Sequence, residues 1–279
     1  MHCLGRNSEV TFGLLKMATD HQFRRDIIRC GSLLHSCGFI AATDGNISVR
    51  LDEERVLVTP TGMSKGMMKT SDLVIVDMNG HKIKGRREVT SEIGMHLLIY
   101  RMRPDVNAVV HAHPRTATGF AAAGIALNQP LVCELVISLG QIPLAPYGTP
   151  GTQELAETLE PLIPDFDAIL MANHGVVTYG TDLRSAYMKM ETVEHFAQIT
   201  LVTHLLGKQQ PLDCSNLEKL IAVRSRYLGV TSGPRMPVHF ADPIEEDEGD
   251  LVEEPVSEGK SYRERAIHHR RGSGLRRGN

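Results

Sequence analysis

The sequence predicts an α/β fold in which a central, mainly antiparallel sheet is covered by helices on both faces. Helical and strand-like segments alternate along the chain, and that order builds layers of both kinds around one sheet. The strands at 47–51, 56–59 and 73–77 follow one another through short turns, and turn-linked neighbours of this kind pair antiparallel. The chain has 279 residues, 42% of them hydrophobic, and no Trp, so it can bury a sizeable core that must be aliphatic.

Each element has its own justification. From Asp20 to Cys37, Phe23, Ile27, Ile28, Leu33 and Leu34 recur at helical steps, and Gly38 is a stop signal. Asp44-Gly45 is a turn, after which Ile47, Val49 and Leu51 alternate as a strand. "RVLVTPTG" and "DLVIVDMNG" are two further strands, closed by a Pro-Gly turn and by Asn79-Gly80. A helix is predicted over 91–102, stopped by Pro104. Then come the strand "AVVHAH", a helix over 114–123, and strands around 131–137 and 142–145. Residues 152–163 read as helix. "DAILMANHGVVTYG" is a strand, a tight turn at Asn173-His174-Gly175, and a second strand. Long helices follow over 183–206 and 216–227.

The ends differ from the body. Residues 1–19 carry no clear pattern and read as an N-terminal extension, with the folded domain spanning 20–239. Residues 240–279 contain ten acids and seven bases in opposing blocks, which accounts for the whole net charge of −3 and predicts a disordered tail. A neutral body with an acidic block beside its basic end argues against a nucleic-acid partner. Five scattered cysteines without a CxxC pair fit a reduced, cytoplasmic protein, and no apolar run suggests a signal peptide or a membrane span.

The chemistry centres on histidine. His111 and His113 stand two residues apart at the end of an apolar strand, so they share a face with Cα atoms about 6–7 Å apart, and two ring nitrogens can converge on one ion. Alone, the pair is equally consistent with a chance His-x-His on a rim. His174 also follows an apolar strand and sits in a turn, and three such histidines would suit a three-nitrogen catalytic site; spacing does not show that residue 174 approaches 111. Glu92 begins the 91–102 helix, with Thr90 or Ser91 as the cap, although an acid in a first turn is favoured by the helix dipole anyway. His96 has no partner in sequence and reads as a packed or supporting histidine.

Three short stretches could cradle an anion: "DGNIS" (44–48), "TPTGMSKG" (59–66), in which Lys65 adds a cation, and "VTSE" (89–92). Each alone is weak, because Gly, Ser and Thr build turns everywhere, and "TPTGMSKG" lacks the Walker A spacing.

Taken in order, "GNISVR", "LVTPTGMSKGMM", "TSE…H", "AVVHAHP" and "MANHG" resemble the class II aldolase/adducin family over roughly residues 20–230. The resemblance implies a three-layer α/β/α sandwich and a C4 homotetramer with active sites between subunits. It implies His111, His113 and His174 as ligands of Zn2+, with Mn2+ or Co2+ as other candidates, and no organic cofactor. Glu92 matches the catalytic glutamate, which also touches the metal. Asn46, Thr61, Gly62, Ser91 and, more loosely, Thr90 match the phosphate pocket, and Tyr227 in "RSRYLG" matches a tyrosine near the C-terminus.

The implied activity is retro-aldol cleavage of a ketose phosphate through a metal-stabilised enediolate, with Glu92 carrying the proton at a pKa raised by partial burial. The epimerase branch has aspartate where this chain has Glu92, which favours the aldolase branch. "LVCELVISLG" departs from that branch by lacking its tyrosine, with Cys133 and Glu134 in the region. The "SKG" after "TPTG" is a second departure and points to an acid or phosphate bound near Lys65. A decarboxylase or dehydratase would use the same chemistry, and a non-catalytic scaffold would lack the histidines.

Overall fold

The computed structural model describes residues 6–228, with side chains over 20–224. Helix α1 (Arg6–Ser36) leads into β1 (Asn46–Arg50), β2 (Arg55–Val58), β3 (Val74–Asp77) and β4 (Lys82–Lys84). Then follow α2 (Ile93–Met102), β5 (Ala108–Ala112), α3 (Arg115–Ala122), α4 (Cys133–Ser138), β6 (Leu144–Ala145) and α5 (Gln153–Leu159). The chain continues through β7 (Ala168–Met171), β8 (Gly175–Gly180), α6 (Leu183–Leu205) and α7 (Cys214–Leu228). The strands form one sheet in the order β4-β3-β2-β1-β5-β8-β7-β6. Every pairing is antiparallel except β6 with β7.

Strand alternation sorts the core into two clusters. Ile47, Val49, Leu57, Val110 and Val176 pack with residues of α1, α3, α4 and α6. Val56, Val58, Val109, Ile169 and Val177 pack with α2 and α5. Successive side chains of a strand point to opposite faces, so neighbours such as Val109 and Val110 belong to different clusters. The fold is therefore mixed α/β, with helices flanking a mostly antiparallel sheet.

Three predictions need correction. The strand expected around 131–137 is the helix α4. Leu135, Val136 and Leu139 are buried while Cys133 and Glu134 are exposed, a four-residue rhythm that a short apolar run hides from a period count. Strand β4 was not anticipated: "KIK" is exposed throughout, and lysine is what an edge strand carries to discourage further pairing. Helix α1 begins at Arg6, well before the periodic stretch at Asp20. The charged tail predicted over 240–279 lies outside the described residues. Among the described residues, no helix is long and apolar enough to cross a membrane.

Candidate metal centre and active site

Register brings the first components together. β1 and β5 pair with Asn46 opposite His111, so both side chains project on the face under α2. His113 lies just beyond β5, and its backbone N–H donates to the Phe39 carbonyl at 2.8 Å. Two close approaches demand glycine. A Cβ at Gly45, where φ is +67°, would meet the His111 carbonyl at 2.6 Å, and one at Gly175 would meet the Ala112 carbonyl at 2.7 Å. Asn173 takes the left-handed conformation at φ 56°, turning the chain so that His174 comes back over β5.

His174 does approach 111. The candidate ligand atoms of His111, His113 and His174 all lie within 4.8 Å of one another. The ring nitrogens Nε2 of His111 and His113 are 3.1 Å apart. His111 Nδ1–H donates to the Val176 carbonyl at 2.9 Å, which leaves the Nε2 lone pair for the cluster. His113 Nδ1 faces the Asp44 carboxylate at 3.5 Å, so its Nε2 also turns inward. Burial pushes His111 down to about 3 and lowers His113 as well, which favours the neutral imidazoles that bind metal.

Glu92 completes the cluster. Its carboxylate oxygens lie 3.3 Å from His111 Nε2 and 3.2 Å from His174 Nε2, and Asn46 Nδ2 donates to it at 2.7 Å. Glu92 is the N-cap residue of α2 rather than a first-turn residue, and its side chain caps no backbone group; it turns into the site. Burial pushes this carboxyl up, but positive charge on the His111 and His174 imidazoles, when they are protonated, and hydrogen bonds from His174 and the Asn46 amide draw it below the usual carboxylate range. The raised pKa expected from burial alone is thereby reversed.

The buried His174 Nδ1 has no hydrogen-bond partner, and Glu92 Oε1 has only the His174 Nε2 contact at 3.2 Å. Buried polar groups are normally satisfied. Three imidazoles converging beside a carboxylate suit a divalent metal ion, and His111, His113 and His174 could hold it.

The three anion loops also meet. The Ile47 N–H donates to Thr59 Oγ1, and Thr59 N–H returns a bond to the Ile47 carbonyl. Pro60 bridges Val89, and Thr61 N–H donates to the Glu88 carbonyl at 3.1 Å. Thr61 and Gly62 therefore lie alongside the segment leading to Thr90 and Ser91, with Thr61, Gly62 and Ser91 exposed. Thr90 is buried, its hydroxyl accepting from Glu92 N–H. Lys65 is buried too, and its ammonium donates to the Thr43 and Met63 carbonyls at 2.6 and 2.9 Å, tying the first two loops together. Burial lowers this amine to about 8. Tyr227 falls on α7, and its side chain lies outside the described residues.

Several residues around the site had no clear sequence signal. His96, Ser48 and Tyr100 lie behind Asn46 in a buried chain of hydrogen bonds. Glu194, from α6, accepts the N–H groups of Thr116 and Ala117 and so caps the helix that starts just after His113. The only hint in the sequence is spacing: Glu92, His96 and Tyr100 repeat at four-residue steps on one face of α2.

Residues 25–201 match the family model described as "Class II Aldolase and Adducin N-terminal domain". The chain belongs to the class II aldolase/adducin family. Among relatives in that family, an L-fuculose phosphate aldolase from Methanococcus maripaludis is 36% identical over 181 residues, which is 65% of this chain and 97% of that protein. A 3-oxo-tetronate 4-phosphate decarboxylase from Pectobacterium atrosepticum is 31% identical over 190 residues, covering 67% of this chain and 87% of that protein. Among solved structures, an L-fuculose 1-phosphate aldolase superposes with a TM-score of 0.68 at 29% identity, covering 74% of this chain and 96% of that chain. The class II aldolase/adducin motifs identified in the sequence fall within the matched stretch, with all three histidines and Glu92 present.

Proposed function

We propose that this protein is a metal-dependent lyase that cleaves a ketose phosphate such as L-fuculose 1-phosphate by a reversible retro-aldol reaction. The observation that carries the reading is the position of Glu92: one carboxylate within 3.3 Å of two clustered imidazoles, beside loops able to hold a phosphate. Zn2+ is our proposed metal, with Mn2+ or Co2+ as other occupants, and no organic cofactor takes part.

When bound, the metal supplies Lewis acidity that draws electron density from the substrate carbonyl and its adjacent hydroxyl. The residues do the rest. The hydroxyls of Thr61, Thr90 and Ser91 and the Gly62 backbone N–H hold the phosphate, with the buried charge of Lys65 behind them. Fixing the phosphate fixes which carbonyl reaches the histidines. Glu92 takes the proton from the hydroxyl next to the breaking carbon–carbon bond. It then returns a proton to the carbon that has lost the aldehyde. Asn46 keeps the carboxylate aimed.

The helices on opposite sheet faces support a three-layer sandwich in the family manner, and we read the working form as a C4 tetramer with active sites between subunits. Tyr227 would then contribute from the C-terminal side, and the absence of a membrane-crossing helix among the described residues supports a cytoplasmic location.

A second reading has its own support. The segment around Cys133 and Glu134 has no tyrosine, and a decarboxylase is among the relatives. A phosphorylated β-keto acid could use the same electron sink, releasing carbon dioxide in place of an aldehyde.

Purified protein loaded with Zn2+, Mn2+ or Co2+ should be assayed against ketose 1-phosphates and phosphorylated β-keto acids. Aldehyde release supports the aldolase, and carbon dioxide release supports the second reading. Glu92→Gln should abolish turnover while the metal stays bound; an active variant would remove Glu92 from the mechanism.

A further inference from the structure

Behind the histidine cluster runs a ladder of polar side chains inside an otherwise apolar layer. Asn46 and Ser48 occupy alternate positions of β1, on the same face, and Glu92, His96 and Tyr100 occupy four-residue steps from the start of α2. Two strand residues advance about 6.7 Å, and four helix residues advance about 6 Å, so the two periods stay in step along the contact.

The bonds alternate between the elements. Asn46 Nδ2 donates to Glu92, and Asn46 Oδ1 meets His96 Nε2 at 2.5 Å. His96 Nδ1 lies 2.7 Å from Ser48 Oγ, which lies 2.8 Å from the Tyr100 hydroxyl. Asn46, Ser48, His96 and Tyr100 are all 3% exposed or less.

Donor and acceptor roles follow from one end. An ionised carboxylate only accepts, so Asn46 must present its NH2 to Glu92 and its carbonyl oxygen to His96. His96 must then carry its proton on Nε2, leaving Nδ1 to accept from Ser48. The Ser48 oxygen in turn accepts from Tyr100. No member can turn without leaving a buried group unpaired.

A polar ladder of this kind is a poor way to hold a strand to a helix. Met95, Leu97 and Ile99 of the same helix already pack into the apolar layer, and well-packed apolar side chains at these positions would serve stability at least as well. What the ladder provides is orientation, because each buried polar member accepts a single partner geometry.

We propose that Tyr100, Ser48 and His96 form a positioning chain that fixes the Asn46 amide and through it holds the Glu92 carboxylate in its working orientation over the histidine cluster. Their side-chain hydrogen bonds run to one another and to Asn46, through which they reach Glu92. The proposal rests on the reading of Glu92 as the proton carrier.

Two measurements test it. In the full chain labelled with 15N-histidine, long-range 1H–15N spectra should show His96 as the neutral Nε2–H tautomer; an Nδ1–H tautomer overturns the chain. In the metal-loaded enzyme, His96→Leu should lower kcat by about 10- to 100-fold. KM for the ketose phosphate and divalent metal affinity, measured by chelator competition, should stay within about threefold.

His96→Gln, which can offer an N–H towards Asn46, should recover most of the loss, and Ser48→Ala should cost less than His96→Leu. Equal activity of the Leu and Gln variants, a wild-type kcat in His96→Leu, or a change confined to KM overturns the inference. If His96→Leu does not fold, the tautomer and the other two variants still decide. A dead Glu92→Gln enzyme beside a fully active His96→Leu enzyme rejects the chain alone. An active Glu92→Gln enzyme rejects the proton-carrier reading instead, while the His96 tautomer still reports on the ladder.

Discussion

Two charged clusters sit at opposite ends of the same central strands, and they are built on opposite principles. At one end Arg103, Asp105, Asp167 and Lys189 pair with one another. Arg103 contacts both aspartates at 2.8 and 3.0 Å, and Lys189 contacts Asp167 at 2.6 Å. Spare donors there find carbonyls, with Arg103 reaching Ile163 and Lys189 reaching Tyr179. At the other end three imidazoles and one carboxylate crowd together, and the buried His174 Nδ1 lacks a hydrogen-bond partner. In the first cluster the Arg103 and Lys189 donors are matched to aspartates and carbonyls, with the buried Arg224 also under the influence of Asp167. The second is rich in acceptors and short of donors, and that imbalance suits a cation. Charged residues at the rim of a sheet do not mark a site by themselves; several metal-ligating groups converging with spare acceptors do.

Substitutions should separate the two ends. The largest effect is expected from His113→Ala, which removes a proposed ligand. Metal affinity should fall by more than the roughly 10- to 100-fold cost of losing a supporting residue. Thermal stability without added metal should change little, as chelator competition and a melting curve would show. Wild-type affinity in this variant would break the contrast.

Asp167→Ala attacks the first cluster. It leaves Lys189, largely shielded from water, with only the Tyr179 carbonyl and takes one of the two carboxylates of Arg103, and should cost on the order of 3 kcal/mol. Denaturant titration measures this, and metal affinity should be unaffected. A variant that loses metal affinity at wild-type stability would mean that the two ends are coupled.

The smallest effect concerns Lys65, whose amine burial brings down to about 8. Its charge is present below that pH and lost as pH rises through it. If the charge supports the phosphate pocket, KM should rise above pH 8 by roughly fivefold or less, worth about 1 kcal/mol. Lys65→Met should have the higher KM throughout and no such pH dependence. A flat wild-type profile would leave Lys65 as a tie between Thr43 and Met63 only. The sign for stability is opposite: the folded state gives up this proton more readily than the unfolded chain, so stability should gain as pH rises from about 8 towards 10.5.

Much of the fold was legible locally. Val109 and Val110, Asp44-Gly45 and Asn173-His174-Gly175 each carry a strand or turn signal that acts over a few residues. The 131–137 segment was misread because a short apolar run fits either period, and its burial pattern appears only once Leu135 and Leu139 have a core to face. "KIK" escaped because an exposed edge strand has no apolar alternation to detect. In the site, His111, His113, His174 and Glu92 stood out as residue types at strand and helix ends. His96 did not, since its partners lie 48 and 50 positions away.

By itself the sequence singled out the residues proposed for metal binding and proton transfer, and the ordered motifs placed the chain in its family. Those properties reside in side-chain type and short-range spacing. Only the tertiary structure decided that His174 meets His111, that Lys65 ties two loops together, and that Asn46 hands a line of buried hydrogen bonds to Glu92. These facts depend on strand register and on the seating of α2 across β1, which arise from packing between segments far apart in the chain. No local pattern encodes where such segments come to rest.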